Sequence, residues 1–345
     1  YEIGVITGIM IGTKVIAPNL WGWIADLSGL RHRVIQLGSF CCFIIFSFVS
    51  TVENFFSMAI LIFFFSFFWN ASLPQFEAVT MNTLGASYNK YSYIRLWGSL
   101  GFIISVLSLS FITNKLGIEI IPLCILSFLF LTWLSTLYVK NQNINTERHN
   151  NSLISIVLKP AIIGILVSCF LMQLSHGPFY AFFAIFLAEN NYTTTSIGLI
   201  WSLGVIAEIL IFLKISSWIP KYGLQNLFII SFLFATLRWL LISLFPQDIV
   251  IVCIATVFHA ITYGMYHAVS ISLIHEYFTG ELQGRGQALY SSISFGLGGS
   301  IGSFYSGYLW ESVGGSTVFL YASLFAFLGF IVSLMLVKSN YRNLK

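Results

Sequence analysis

Lys140–Ser152 reads KNQNINTERHNNS. It holds no aromatic residue and one apolar residue, Ile144, in a chain of 345 residues that is 57% apolar and 17% aromatic. The apolar run 118–139 ends where this stretch begins, and the run 160–188 follows it. A polar segment between two long apolar runs reads as a linker between two helical bundles. Outward from it, five apolar runs precede (3–25, 34–51, 55–81, 94–113, 118–139). Six follow (160–188, 196–216, 224–245, 249–274, 284–310, 317–337). A bilayer core roughly 30 Å thick takes about 20 mostly apolar residues per helix. In lipid the backbone must satisfy its own polar groups, and the runs lack the alternation of barrel strands, so helix is the expected state. The expectation is an all-α, polytopic membrane protein with eleven transmembrane helices in two bundles. The first spans 1–139 and the second 159–345, with a cytoplasmic linker over 140–158.

Only 8% of residues are charged, against about 25% in soluble domains. There is too little charge for a solvated shell, so lipid is the expected surrounding. The net charge of +4 is small, and the basic residues form no aromatic-interleaved patch, which argues against nucleic acid. Five cysteines lie inside apolar runs without zinc-type spacing, so no metal is expected and they read as small buried side chains. No Walker-type phosphate loop is present, so ATP is not the expected energy source.

Lysine and arginine set the orientation. Of the 16, thirteen fall on one set of alternate connections: Arg31, Arg33, Lys90, Arg95, Lys140, Arg148, Lys159, Lys214, Lys221, Arg285, Lys338, Arg342 and Lys345. The other set has Lys115 alone, and Lys14 and Arg238 lie within runs. The basic side is expected to be cytoplasmic, with the C-terminus inside. An outside N-terminus, a five-plus-six division and an opening Tyr1 suggest a further N-terminal helix, which would give two halves of six.

Between the first two runs stands Gly22-Trp-Ile-Ala-Asp26-Leu-Ser-Gly29-Leu-Arg31-His-Arg33. Gly22 allows close helix approach, Gly29 a tight turn, and Asp26 can accept from a helix N-terminus or pair with a basic side chain. The stretch resembles the signature loop of the major facilitator superfamily, with the last basic residue, Arg33, slightly early. In that family the loop joins helices two and three, again implying an earlier helix. Further matches run in order to about Gly307: Tyr93-Ile-Arg95-Leu-Trp97-Gly98-Ser99-Leu-Gly101-Phe102, then Glu208, Arg238-Trp239, Phe258-His259-Ala260, His267 and Gly286-Gln287-Ala288-Leu289-Tyr290-Ser291. These resemble the phenylpropionate permease family, similar in outline to lactose permease and nucleoside symporter groups. Where that family has Leu-His-Gly, this chain has Phe258-His259-Ala260. The resemblance implies two bundles of the major facilitator type and proton-coupled import of a small organic solute.

Ionisable groups deep in a bilayer are costly and tend to pair or face a cavity. Glu208 shares a helical face with Trp201 and Gly204, and Arg238 lies in the next, antiparallel run. The expectation is that Glu208 and Arg238 interact and that Glu208 carries the coupling proton; a static ion pair locking two helices is the plainer alternative. His259, Tyr263 and Tyr266 recur at i, i+4 and i+7 on one face, suited to proton relay or to donating to a substrate carboxylate. His267 shares that run, and structural histidines are the alternative for both. Gln173, His176 and Tyr180 form another face, followed by a break at Gly177-Pro178 where a kink is expected. In the first bundle, Asn70 and Glu77 share a face, and Lys14 sits mid-run as a candidate for attracting an anionic substrate. Trp69, Trp97, Trp201 and Trp239 could stack on a ring or serve as anchors.

These residues lead to a monomeric, multi-pass importer of the bacterial inner membrane. Its partners are a small-molecule substrate, protons and lipid, it needs no cofactor, and the proton gradient drives it by alternating access. Glu208, Arg238 and His259 are the proton-coupling candidates; Lys14, Asn70, Glu77, Gln173, His176, Tyr180, Tyr263 and His267 are the substrate-binding ones. The alternatives are a drug or metabolite exporter of the same superfamily and an inactive truncated transporter. A membrane-embedded enzyme would need a dense catalytic cluster that the dispersed polar residues do not supply.

Overall fold

A computed structural model describes residues 1–84, 91–139, 154–278 and 282–338. The side chains of Asp26, Glu77 and Arg95, with some near the segment ends, lie outside the described residues, as does most of the expected linker. Every regular element among the described residues is helical. Ten helices are long and apolar enough to cross a membrane. The expected count of eleven differs by one, and the difference lies in the last of them, Arg285–Val337, of 53 residues. That stretch is broken at Gly314, whose φ of 79° and ψ of 157° leave helical space. A straight helix of that length would measure roughly 80 Å, more than twice a bilayer core.

The chain divides into two compact units, Gly4–Arg148 and His149–Lys345. The first contains α1 (Glu2–Gly12), a 3₁₀ turn at Thr13–Val15, α2 (Ala17–Ser28), α3 (Arg31–Ser47), α4 (Phe55–Leu84), α5 (Tyr91–Leu116) and α6 (Ile121–Thr136). Gly29 ends α2 in the left-handed region at φ 64°, its N–H donating to Ala25 O, a turn that costs a residue with a Cβ. Trp21 of α2 packs on Phe67 and Phe68 of α4. Phe40 and Phe43 of α3 meet Trp133 of α6.

The second unit contains α7 (Ile154–Val157), α8 (Pro160–Glu189), α9 (Thr194–Tyr222), α10 (Leu224–Leu244), α11 (Ile249–Val257), α12 (Tyr266–Tyr277), α13 (Leu282–Ser291) and α14 (Gly299–Val332). Two π-helical turns, Ala260–Met265 and Ser292–Gly298, join α11 to α12 and α13 to α14. α8 is the hub: most of its span is buried inside the unit. It runs through Gly177-Pro178 without the expected break. The physical reason lies across the interface. Pro178 has no N–H for the carbonyl of Leu174, and that carbonyl faces Gly302, where a Cβ would stand 2.6 Å away. The close α-carbon supplies a weak C–H contact and the glycine pair supplies room. Phe179, Phe183, Phe186, Trp310 and Phe319 fill one end of the core.

Candidate functional site

α10 carries Arg238 into the middle of the second unit, where it is wholly buried. Its Nη1 lies 3.1 Å from His259 Nδ1, 3.0 Å from Thr262 Oγ1 and 3.4 Å from His176 Nε2. Its guanidinium carbon sits 4.3 Å from the Phe179 ring centroid and 4.2 Å from that of Trp239. Cation–π contacts of this kind help offset the loss of water around a buried cation. Trp239 Nε1 donates to Ser175 Oγ at 3.1 Å, so the ring that flanks Arg238 is itself held by α8.

The expected direct contact of Glu208 with Arg238 is not what the fold builds. Among the described residues no carboxylate lies within ion-pair distance of Arg238. His259 stands between them, with Nδ1 toward Arg238 and Nε2 3.8 Å from Glu208 Oε2. The reason is packing. A Cβ on Gly264 would fall 2.9 Å from Glu208 Cγ, so glycine in the π-helical turn lets α9 come up against it and sets Glu208 beside the His259 ring.

The donors fix the tautomers. Arginine only donates, so both imidazole nitrogens facing it accept. Neutral His259 then carries its proton on Nε2, toward Glu208. Neutral His176 carries it on Nδ1, which donates to Met172 O at 2.8 Å. A second proton on His259 would occupy the lone pair that Arg238 uses.

The π turn also corrects the expected face. An α-helix would align residues 259, 263 and 266; the wider turn adds about one residue and aligns 259, 263 and 267 instead. The rings of His259 and Tyr263 are 5.1 Å apart and 7° from parallel, and those of Tyr263 and His267 are 6.1 Å apart at 11°. His267 Nδ1 meets the Tyr290 hydroxyl at 3.2 Å. Tyr266 points elsewhere, its hydroxyl donating to Cys169 O.

On α8, the His176 and Tyr180 ring centroids are 5.9 Å apart. Gln173 is fully buried, and neither amide atom has a protein partner among the described residues. Trp201 packs on Phe179 at 4.5 Å, while Trp69 and Trp97 are exposed.

In the first unit, Lys14 lies on the 3₁₀ turn that interrupts the first span and is exposed. Asn70 is committed to the same turn, donating to Thr13 Oγ1 at 2.8 Å. Glu77 and Asp26, candidates from the sequence, lie outside the described residues. Arg31 Nη1 donates to Gln75 Oε1 at 2.7 Å, and Gly22 lies close to the same amide. Gln75 and Thr262 did not stand out in the sequence. Thr262 follows His259 by three residues, a spacing that could have flagged it; a lone glutamine beside Pro74 gave no such signal.

The chain matches the MFS_1 like family over residues 1–321. It is 23% identical over 345 residues to an uncharacterized transporter, YwbF, of Bacillus subtilis, covering 98% of this chain and 85% of that one. It is 26% identical over 262 residues to a probable 3-phenylpropionic acid transporter of Escherichia coli, covering 72% and 66%. The solved structure of the nucleoside transporter NupG has the same fold, with a TM-score of 0.84 at 19% identity over 97% of this chain and 90% of that one. With ten membrane-length helices, a signature loop built onto Gln75 and this match along nearly its whole length, the chain belongs to the MFS_1 like family of major facilitator transporters and is a multi-pass membrane protein.

Proposed function

We propose that this chain is a proton-coupled secondary transporter that imports a small organic solute, a small aromatic acid being the favoured class. The bacterial inner membrane is its location, with the C-terminus in the cytoplasm. One observation carries the coupling: the buried series Glu208, His259, Arg238, in which His259 accepts from Arg238 on one side and faces a carboxylate on the other. A proton reaching Glu208 can pass to His259. Doubly protonated His259 can no longer accept from Arg238, so proton uptake and the α10–α11 contact exclude one another. A membrane carrier needs such a link between a proton and a choice of helix packing. The aromatic acid is supported by the rings of Phe179, Trp201 and Trp239 around the series and by the printed substrate of the Escherichia coli relative.

Proteoliposomes loaded at high pH test this. Labelled 3-phenylpropionate, a nucleoside and a disaccharide are offered with an inward proton gradient. At least one should accumulate, and a protonophore should abolish the accumulation. Glu208→Gln should still exchange that solute across the membrane but no longer concentrate it. Accumulation by Glu208→Gln at the unaltered level would sink the proposal.

A further inference from the structure

Arg238 has five N–H donors, and the fold uses one corner of them. Nη1 takes all three of its polar contacts. Nε and Nη2, the pair that forms the fork complementary to a carboxylate, are buried and have no protein acceptor among the described residues. The cation is 0% exposed. The acidic group of this cluster, Glu208, lies across the His259 ring, on its Nε2 side. A buried guanidinium whose fork is empty and whose countercharge sits behind another ring is an expensive arrangement. Every other side of it is built with care: two aromatic rings, two histidines in defined tautomers and a threonine.

We infer that the Nε–Nη2 edge of Arg238 is the receptor for the carboxylate of the transported solute, which is an organic monocarboxylate. The inference rests on the transporter reading above and names the substrate class of that same site. One fork and one uncompensated positive charge match one carboxylate bound through both oxygens. A phosphate dianion would leave a charge over in an apolar setting. Both histidines present lone pairs to Arg238, so neither adds a positive charge that a second anionic group would need. The rings of Phe179 and Trp239 are 5.7 Å apart and each lies against the guanidinium, so a flat group joined to the carboxylate meets an aromatic surface on entry.

Thermal unfolding of the purified full chain tests the assignment. Benzoate, 3-phenylpropionate and lactate are each compared with their own amides, which keep the shape and lose the charge. At least one acid should raise the unfolding midpoint by roughly 3 °C or more at 100 times its Kd, and its amide should not. Arg238→Lys keeps the charge without the fork and should lose the shift. The inference is overturned if no acid stabilises, if acid and amide stabilise equally, or if the shift survives in Arg238→Lys. Should the lysine variant fail to fold, the acid–amide comparison on the unaltered chain decides alone. Proton-driven uptake of a nucleoside with no response to any acid would overturn this inference and leave the transporter reading standing. Acid-specific binding without proton-driven uptake would do the reverse.

Discussion

Gly177 of α8 and Gly302 of α14 meet backbone to backbone: a Cβ on Gly177 would lie 2.1 Å from the carbonyl carbon of Gly302. Membrane helices gain little from the hydrophobic effect between themselves and rely on such close packing. Gly302→Ala should therefore cost about 1–3 kcal/mol and lower the unfolding midpoint in detergent. Gly264→Ala makes a useful contrast, because its Cβ meets the flexible Cγ of Glu208 at 2.9 Å. It should unfold near the unaltered midpoint while slowing transport. Equal thermal losses in the two variants would contradict this account of α8 and α14.

His259 has two separable tasks, accepting from Arg238 and facing Glu208. His259→Asn keeps an amide oxygen near the Nδ1 position and loses the ring nitrogen toward Glu208. It should retain most of its stability and lose proton-driven accumulation. His259→Leu should lose both, with a further cost of about 1.5–3 kcal/mol for the bond to a charged donor. Unfolding midpoints and uptake measured side by side on the two variants check the split.

Trp239 combines a hydrogen bond to Ser175 with a face toward Arg238. Trp239→Phe removes the first and keeps a ring, so a loss of about 0.5–1.5 kcal/mol is expected. Trp239→Leu removes both and should unfold at a lower temperature than Trp239→Phe. The order of the two midpoints is the measurement.

Charge counting gives a prediction about energetics. Empty, the cluster holds one cation, Arg238, and one ionised carboxyl, Glu208. Adding one monocarboxylate and one proton leaves the total at zero, whether the proton rests on Glu208 or on His259. Uptake of an acid should then follow a pH gradient and ignore an imposed membrane potential. Potassium and valinomycin in proteoliposomes set that potential, and a current scaling with it would argue against the tally.

The bundle architecture was legible in the sequence because lipid forces a simple pattern: apolar runs of membrane length, and lysine and arginine on one side of them. Lys140–Ser152 marked the division for the same reason, as a stretch too polar to bury. The cluster was legible only in its membership. Glu208, Arg238, His176 and His259 were each conspicuous as costly groups in apolar runs, yet their partners were misassigned. The π-helical turn at Ala260–Met265 changes which residues share a face, and nothing in the residue types of AITYGM announces it to a reader counting by 3.6. Pro178 suggested a break that Gly302, more than a hundred residues away, makes unnecessary. Gln75 stayed hidden because a single buried amide has no periodic neighbours to reveal it.

The same widened turn has a mechanical meaning. One surplus residue in a coil is a stored twist: tightening it to ordinary α geometry would turn the helix beyond it by about 100°. His259, on the near side, would keep its hold on Arg238, while His267 would swing off Tyr290. The helix through Ala260–Met265 is thus a ratchet with two seats, and the ring column of His259, Tyr263 and His267 is aligned in one of them.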